Sequence, residues 1–134
     1  MNGVMIVNRF SSKSLSRLHT VDSSLIAIAE KALSISKIDF GIPEYGGYRT
    51  TSEQKELYER GASKCDGIRI KSKHQTKRAL DVYAYVDGKA SWDEYHLAMV
   101  ACAMLQAASE LGYKLEWGGL WTSFVDMPHF QLGD

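Results

Sequence analysis

The sequence predicts an α+β fold in which helices pack against a small antiparallel sheet. Segments with helix-capping signals are mixed with short strand-like segments, without the regular strand–helix–strand rhythm that builds a parallel sheet. The chain has 134 residues, of which 45% are hydrophobic, and this suits one domain with one core. We therefore expect a single domain over residues 1–134, in which residues 1–20 form an N-terminal segment that the pattern does not define.

Two of the predicted helices lie in the first half of the chain. Residues 22–36 can begin at the capping residue Asp22. Their apolar residues recur at helical spacing and form one stripe, which consists of Leu25, Ile28, Ala29, Ala32 and Leu33. Residues 50–60 begin with Thr50 and Glu53 at the spacing of a capping box. We interpret both helices as scaffold that covers the sheet.

The clearest predicted helix spans residues 92–111. Ser91 and Glu94 are spaced as a capping box, and Gly112 follows the last residue of the pattern. The apolar stripe of this helix consists of Tyr95, Ala98, Cys102 and Leu105. Core packing is the expected role of this stripe.

The strand predicted from Ala79 to Val86 alternates between two faces. One face is apolar and the other carries Asp81, Tyr83 and Tyr85. Two further strands are predicted, at Lys114–Trp117 and Pro128–Leu132. The second of them places His129 and Gln131 on one face. The sheet should therefore have one buried side and one side available for chemistry.

Charge and composition exclude some classes of partner. Lys plus Arg and Asp plus Glu both count 16, so no overall charge directs the protein to nucleic acid or an anionic membrane. A local basic patch remains open at Lys64–Lys77, within a long loop that is rich in Lys, Ser and Gly. No run reaches roughly 18 apolar residues, and Met1–Phe10 lacks the features of a signal peptide. We expect a monomer that is made in the cytoplasm and is not inserted in a membrane.

Two of the four histidines are candidates for a metal site. His74 follows the long loop and precedes the strand that carries Asp81, while His129 lies on the last strand. If these strands are neighbours, two imidazoles and one carboxylate converge on one ion. Such a set suits zinc, because three protein ligands leave one position free for water. Asp126 can then accept a proton from that water. On spacing alone, a chance arrangement remains open.

Three motifs together resemble those of the zinc metallopeptidases that cut D-alanyl-D-alanine and L-alanyl-D-glutamate bonds. The segment Ser72-Lys-His74-Gln-Thr-Lys-Arg-Ala79-Leu-Asp81 is similar to their SxHxxGxAxD motif. The second motif is Asp126-Met-Pro-His129, and the third, upstream, is Gly47-Tyr-Arg49-Thr50 followed by Gln54. With Trp117-Gly-Gly-x-Trp121, the likeness covers roughly Asp39 to Leu132. The chain is most similar to the endolysins of bacteriophages and prophages that infect Gram-negative bacteria.

The resemblance implies a fold like that of hedgehog domains and D-Ala-D-Ala peptidases, with a zinc cleft on the sheet. It implies zinc ligands at His74, Asp81 and His129 and a catalytic base at Asp126. Arg49 would stabilise the oxyanion of the tetrahedral intermediate, with a structural ion pair as the alternative. Glu116 is a rival base. The residues expected to contact substrate are Ser72, Trp117, Trp121 and Tyr83.

The implied activity is that of an endopeptidase that cuts the L-Ala–D-Glu bond in the peptide stem of peptidoglycan. It would act on the periplasmic cell wall after release through a membrane-permeabilising partner. D-Ala-D-Ala carboxypeptidase or dipeptidase activity is one alternative. A non-catalytic, zinc-containing wall-binding module is another, although a structural zinc usually has four protein ligands and three are found here.

One position departs from the family pattern. Lys77 stands where the motif has Gly, in the turn between His74 and Asp81. The turn must therefore avoid a positive φ at Lys77 or accept strain of about 1 kcal/mol or more.

Overall fold

The computed structural model describes residues 8–134, which form four α-helices, two short 3₁₀ helices and six strands. Residues 1–7, which belong to the predicted domain and to the segment judged not to be a signal peptide, lie outside the described residues. The helices are α1 (Ser12–Leu18), α2 (Ser23–Ile35), α3 (Thr51–Glu59) and α4 (Glu94–Leu111). The strands are β1 (Asp39–Gly41), β2 (Ala79–Asp81), β3 (Tyr83–Val86), β4 (Lys89–Ser91), β5 (Leu115–Trp117) and β6 (His129–Leu132). The 3₁₀ helices span Lys73–Thr76 and Gly118–Leu120.

The predicted α+β class is confirmed, but the described strands form two antiparallel sheets rather than one. Their orders are β1-β3-β4 and β2-β6-β5. The prediction of one continuous strand over residues 79–86 is wrong, because the chain leaves one sheet at Asp81 and enters the other at Tyr83. At the crossing, the backbone N–H of Val82 donates to the carbonyl of Pro128 at 3.0 Å. Val82 therefore joins the two sheets within one extended segment.

The core lies between the sheets and the helices α2 and α4. The predicted alternation holds across the crossing, since Leu80, Val82 and Ala84 are fully buried. The stripe predicted for α2 is also buried, and it packs with Val100, Met104 and Phe130. The polar side of β2 and β6 is thereby turned away from the core. The stripe predicted for α4 is wrong, because Tyr95, Ala98 and Cys102 are exposed and a different face of that helix is buried.

The helix starts follow the predicted caps in two cases out of three. Asp22 accepts a hydrogen bond from the N–H of Ser24, and Thr50 and Glu53 form the predicted capping box. The capping box predicted at Ser91 is wrong. Ser91 ends β4, and Asp93 caps α4 instead by accepting from two backbone N–H groups. None of the helices in residues 8–134 is long and apolar enough to cross a membrane.

Lys77 has a positive φ, so of the two alternatives left open by the sequence the turn takes the strained one. Its φ of 65° and ψ of 18° are left-handed, and it ends the 3₁₀ helix that carries His74. Its carbonyl accepts from the backbone N–H of Asp22 at 2.9 Å, which ties this turn to the start of α2. A left-handed conformation costs a non-glycine residue about 1 kcal/mol or more.

We expect Lys77→Gly to raise the free energy of unfolding by about 0.5–1 kcal/mol, because relief of the strain exceeds the extra chain entropy of glycine. Thermal unfolding of the metal-free protein should shift upward by roughly 2–4 °C. The matched control is Lys89→Gly on β4, where φ is not positive. That variant should lose about 0.5–1 kcal/mol. Equal destabilisation by both changes would contradict strain at Lys77.

Candidate metal centre

Strand pairing brings the three predicted metal ligands together. In the register of β2 and β6, Asp81 lies directly opposite His129. His74 lies on the 3₁₀ helix immediately before β2. Ser72 starts that helix, since its hydroxyl accepts from the N–H of His74 and its own N–H donates to Gln75 Oε1. The SxH part of the motif is therefore a capping box that orients the first histidine.

The three side chains form a compact cluster. Asp81 Oδ1 lies 3.3 Å from His74 Nε2 and 3.1 Å from His129 Nδ1. One ligand atom from each residue lies within 4.8 Å of the other two. His74 is 1% exposed and His129 is 7% exposed. This buried set of two imidazoles and one carboxylate could hold a metal ion.

The protonation of His74 supports a cation at this position. Its Nδ1 lies 2.9 Å from the carbonyl of Gly47, an acceptor, so Nδ1 carries the proton and Nε2 presents a lone pair. That buried Nε2 has no hydrogen-bond partner among the described residues and faces a carboxylate oxygen. A lone pair aimed at an anion is costly unless a cation lies between them. The residues present thus fit a metal.

Asp81 is held in its ionised form. Burial by itself raises the pKa of this carboxyl, but the imidazoles of His74 and His129, when protonated, outweigh burial and hold the pKa well below its usual range; when the rings are neutral, a bound cation would supply the same positive charge. An ionised carboxylate is the form that binds a metal.

Arg49 supports the same carboxylate from the opposite side. Its Nη2 lies 2.9 Å from Asp81 Oδ2, its Nε donates to the carbonyl of Tyr45 and its Nη1 donates to Gln54 Oε1. Gln54 is fully buried and also donates to the carbonyl of Cys65 in the long loop. These contacts match the ion-pair alternative for Arg49. A role at the oxyanion remains a prediction, since Arg49 also lines the cavity beside the cluster.

Asp126 lies next to the cluster without being part of it. Its Oδ2 is 4.0 Å from His129 Nδ1. Burial and the charge of Asp81 raise the pKa of Asp126, against the opposing effect of the nearby histidines and Arg49.

The position of Asp126 explains why the first glycine of the Trp-Gly-Gly motif, Gly118, cannot be a larger residue. A side chain at Gly118 would collide with the carbonyl of Asp126, so only glycine fits there.

A cavity of about 200 Å³ opens onto the cluster. Ser72, Trp121 and Asp126 line it together with the three candidate ligands. The ring of Trp121 lies 5.2 Å from that of His129 between centroids. Two of the residues predicted to contact substrate, Ser72 and Trp121, are therefore in position to do so.

The other two predicted substrate contacts lie outside this cavity. Trp117 donates from Nε1 to the carbonyl of Met127 at 2.7 Å, which holds the loop that carries Asp126. Tyr83 lies in the other sheet, because the strand crosses at Val82, and it lines a different cavity near Phe40. Neither residue lines the cavity at the cluster. Substrate contact by Trp117 and Tyr83 therefore stays a prediction that this cavity does not support.

The structure adds cavity residues that the sequence motifs missed. They are Ala62, Ser63, Lys64, Cys65, Phe124 and Gln131. The loop composition had indicated a functional segment but not which of its residues face the site. Gln131 could have been found, since it shares the predicted face of His129. Glu116, the rival base, is exposed, does not line the cavity, and accepts a hydrogen bond from Gln131.

The α+β fold, the His–His–Asp cluster that could hold a metal ion and the adjacent carboxylate are typical of metallopeptidase-like peptide hydrolases. A family model for phage L-alanyl-D-glutamate peptidase matches residues 6–131. The chain therefore belongs to that family. This confirms both the family resemblance and the predicted enzyme class, an L-alanyl-D-glutamate peptidase that hydrolyses peptidoglycan.

Individual relatives agree with this membership. The L-alanyl-D-glutamate peptidase of Escherichia phage T5 is 34% identical, over 88% of this chain and 85% of that protein. The peptidase of the same name from Listeria phage A118 is 29% identical, over 92% of this chain but 42% of that protein. The crystal structure of the Serratia marcescens L-Ala D-Glu endopeptidase ChiX aligns with a TM-score of 0.83 and 35% identity, over 95% of this chain and 91% of that chain.

Proposed function

We propose that this L-alanyl-D-glutamate endopeptidase works with one zinc ion held by His74, Asp81 and His129, and with Asp126 as the general base. The observation that carries the proposal is the unpartnered, buried Nε2 of His74, which points at Asp81 beside a cavity. Two nitrogen ligands and one oxygen ligand are a donor set that zinc accepts in catalytic sites. Three ligands also favour catalysis over a structural role, which usually takes four.

The residues around the cluster have separate roles in catalysis. When bound, zinc supplies a Lewis acid that polarises a carbonyl and lowers the pKa of water. Asp126 has a raised pKa and lies beside the cluster, so it is suited to accept a proton from the attacking water and to return it to the leaving amine. Arg49 fixes the orientation of Asp81. Ser72 and Trp121 contact the peptide in the cavity.

The substrate is the peptide stem of peptidoglycan, cut between L-Ala and D-Glu. Digestion of purified peptidoglycan followed by mass spectrometry tests this bond. We expect released peptides that begin with D-Glu, while L-Ala stays on the muramic acid. Release of free D-Ala without stem peptides would contradict the proposal and favour the carboxypeptidase alternative. Release through a membrane-permeabilising partner and the monomeric state remain predictions.

Lys64 is placed to recognise an acidic residue of the substrate. Its Nζ lies 5.4 Å from the centroid of the Phe124 ring, and both residues line the cavity. Glutamate carries two carboxyl groups, and continuation of the stem through one of them leaves the other free. A lysine at the cavity offers the opposite charge to that carboxylate.

We expect Lys64→Ala to lower kcat/KM by about 2- to 5-fold, mainly through KM, because an exposed ion pair contributes roughly 0.5–1 kcal/mol. The difference should shrink as ionic strength rises. Steady-state kinetics on a soluble stem peptide measures both effects. The control is Lys71→Ala, since Lys71 is exposed on the same loop but does not line the cavity. Equal losses in both variants would assign the effect to the charge of the loop as a whole.

A further inference from the structure

The two histidines of the cluster present different ring nitrogens to Asp81. His74 uses Nε2, because its Nδ1 is bonded to the carbonyl of Gly47. His129 uses Nδ1, which lies 3.1 Å from Asp81 Oδ1, and turns Nε2 to Gln131 Oε1 at 2.9 Å. A metal ligand must present a lone pair, so the proton of neutral His129 has to reside on Nε2.

A two-residue chain extends from that nitrogen to the surface. Gln131 donates from Nε2 to Glu116 Oε2 at 2.8 Å. Glu116 and Gln131 are direct partners in the register of β5 and β6, so the strand pairing itself holds their side chains side by side. The chain therefore runs from the exposed carboxylate of Glu116, through the amide of Gln131, to the imidazole of His129.

The donors and acceptors of this chain admit one direction only. An ionised carboxylate accepts hydrogen bonds and cannot donate, so the amide nitrogen of Gln131 must face Glu116. The amide oxygen then faces His129, and because this oxygen only accepts, His129 Nε2 must donate. We propose that Glu116 and Gln131 are positioning residues that fix the proton of His129 on Nε2 and so keep Nδ1 available as a metal ligand.

The inference rests on the proposed metal site, and it gives Glu116 a role other than that of a base. For His74, a backbone carbonyl performs the same task and no side-chain substitution can remove it. For His129, the task depends on two side chains and can be reversed by mutation. Partners of this kind typically change metal affinity by about 10- to 100-fold when they are altered.

The decisive variant is Glu116→Lys, because an ammonium group donates and cannot accept. Gln131 must then turn its oxygen outward and its NH₂ group toward His129. Nε2 has to become an acceptor, and the proton moves to Nδ1, the ligand atom. We expect zinc affinity, measured by competition with a chromophoric chelator, to fall by about 10- to 100-fold. Glu116→Ala no longer fixes the orientation of the Gln131 amide but does not reverse it. Its zinc affinity should lie between those of the wild type and Glu116→Lys.

Rescue separates this effect from simple loss of charge. In the double variant Glu116→Lys with Gln131→Glu, the carboxylate at position 131 accepts from both sides, so zinc affinity should return to within a few-fold of the wild-type value. The matched control is Glu56→Lys, the same exchange at an exposed residue of α3 that lies outside this chain of hydrogen bonds. It should leave zinc affinity within about 2-fold of the wild-type value, as expected for a screened surface charge.

The tautomer of His129 is a second readout that needs no metal. Imidazole ¹⁵N shifts of the metal-free protein should show a proton on His129 Nε2 in the wild type, whether or not Nδ1 beside Asp81 is also protonated, and no proton on Nε2 in Glu116→Lys. Wild-type affinity and an unchanged tautomer in Glu116→Lys would overturn the proposal, as would an equal loss in Glu56→Lys. Failure of the wild type to bind zinc would instead reject the proposed metal, and the tautomers would still decide the role of Glu116.

Discussion

Replacing His74, Asp81 or His129 by Ala should remove the bound metal and with it nearly all peptidase activity. Each residue supplies one ligand atom of the cluster, and two ligands no longer fix an ion with an open position. A catalytic metal contributes several kcal/mol of transition-state stabilisation. A loss of about 4 kcal/mol corresponds to roughly 10³-fold in rate. Elemental analysis should find about one zinc per chain in the wild type and little in the variants.

Asp81→Ala and His74→Ala should differ in the free energy of unfolding of the metal-free protein. Asp81→Ala leaves Arg49 without its ion-pair partner, although Arg49 is only 11% exposed. Breaking a buried pair in this way costs about 3–5 kcal/mol. His74→Ala removes the hydrogen bond between Nδ1 and the carbonyl of Gly47 but leaves no unpaired charge, so it should cost the metal-free protein less than Asp81→Ala. Thermal unfolding in the presence of a chelator compares the two directly.

A surface histidine provides the control for these ligand variants. His19 is exposed and precedes all of the motifs in the sequence. His19→Ala should therefore keep full zinc content and activity. Full zinc content in all three ligand variants would mean that the ligands are misassigned, even if activity were lost.

The sequence predicted the cluster because three motifs together resemble those of a known metallopeptidase family, whereas spacing alone left a chance arrangement open. Asp81 lies on the polar face of an alternating strand, and His129 lies on another predicted strand. Two strands that carry these residues need only pair in one register, since a slip by one residue would turn the ligands into the core. The observed pairing of Asp81 with His129 is that register.

The crossing between the sheets had no local signal. Residues 79–86 alternate without interruption, and neither Gly nor Pro marks Val82. The strand is divided by its partners, because β6 pairs with residues before Val82 and β1 with residues after it. Pairing between distant segments is not encoded in the period of one strand. For this reason Tyr83 was placed on the same face as Asp81 although it belongs to the other sheet.

Side-chain networks were also beyond the reach of the sequence. The motif indicated that Arg49 matters but left two roles open, and only the 2.9 Å contact with Asp81 identifies the ion pair. Glu116 is a rival base in the prediction from the sequence, where nothing indicates its hydrogen-bond partner. Its contact with Gln131 depends on the register of β5 and β6. The cap at Asp93 was missed because β4 extends to Ser91 and delays the start of α4.

Replacing Asp126 by Asn or Ala should lower turnover by about 10²- to 10⁴-fold, the usual effect of removing a general base. Zinc content and folding should stay close to wild type, because Asp126 lies outside the cluster and its backbone N–H still donates to the carbonyl of Gly118. The loss should appear in kcat rather than in KM, since the base acts in the transition state. Steady-state kinetics and elemental analysis on the same preparations measure both quantities.

The matched control is Asp87→Asn, the same exchange of carboxylate for amide in an exposed turn. Asp87 has a φ of 52°, which asparagine tolerates, and it does not line the cavity. Turnover of this variant should equal that of the wild type. If Asp126→Asn kept wild-type turnover, Asp126 would have no part in proton transfer. If it lost zinc as well as turnover, Asp126 would act as a fourth ligand, and the site would then resemble a closed structural centre rather than an open catalytic one.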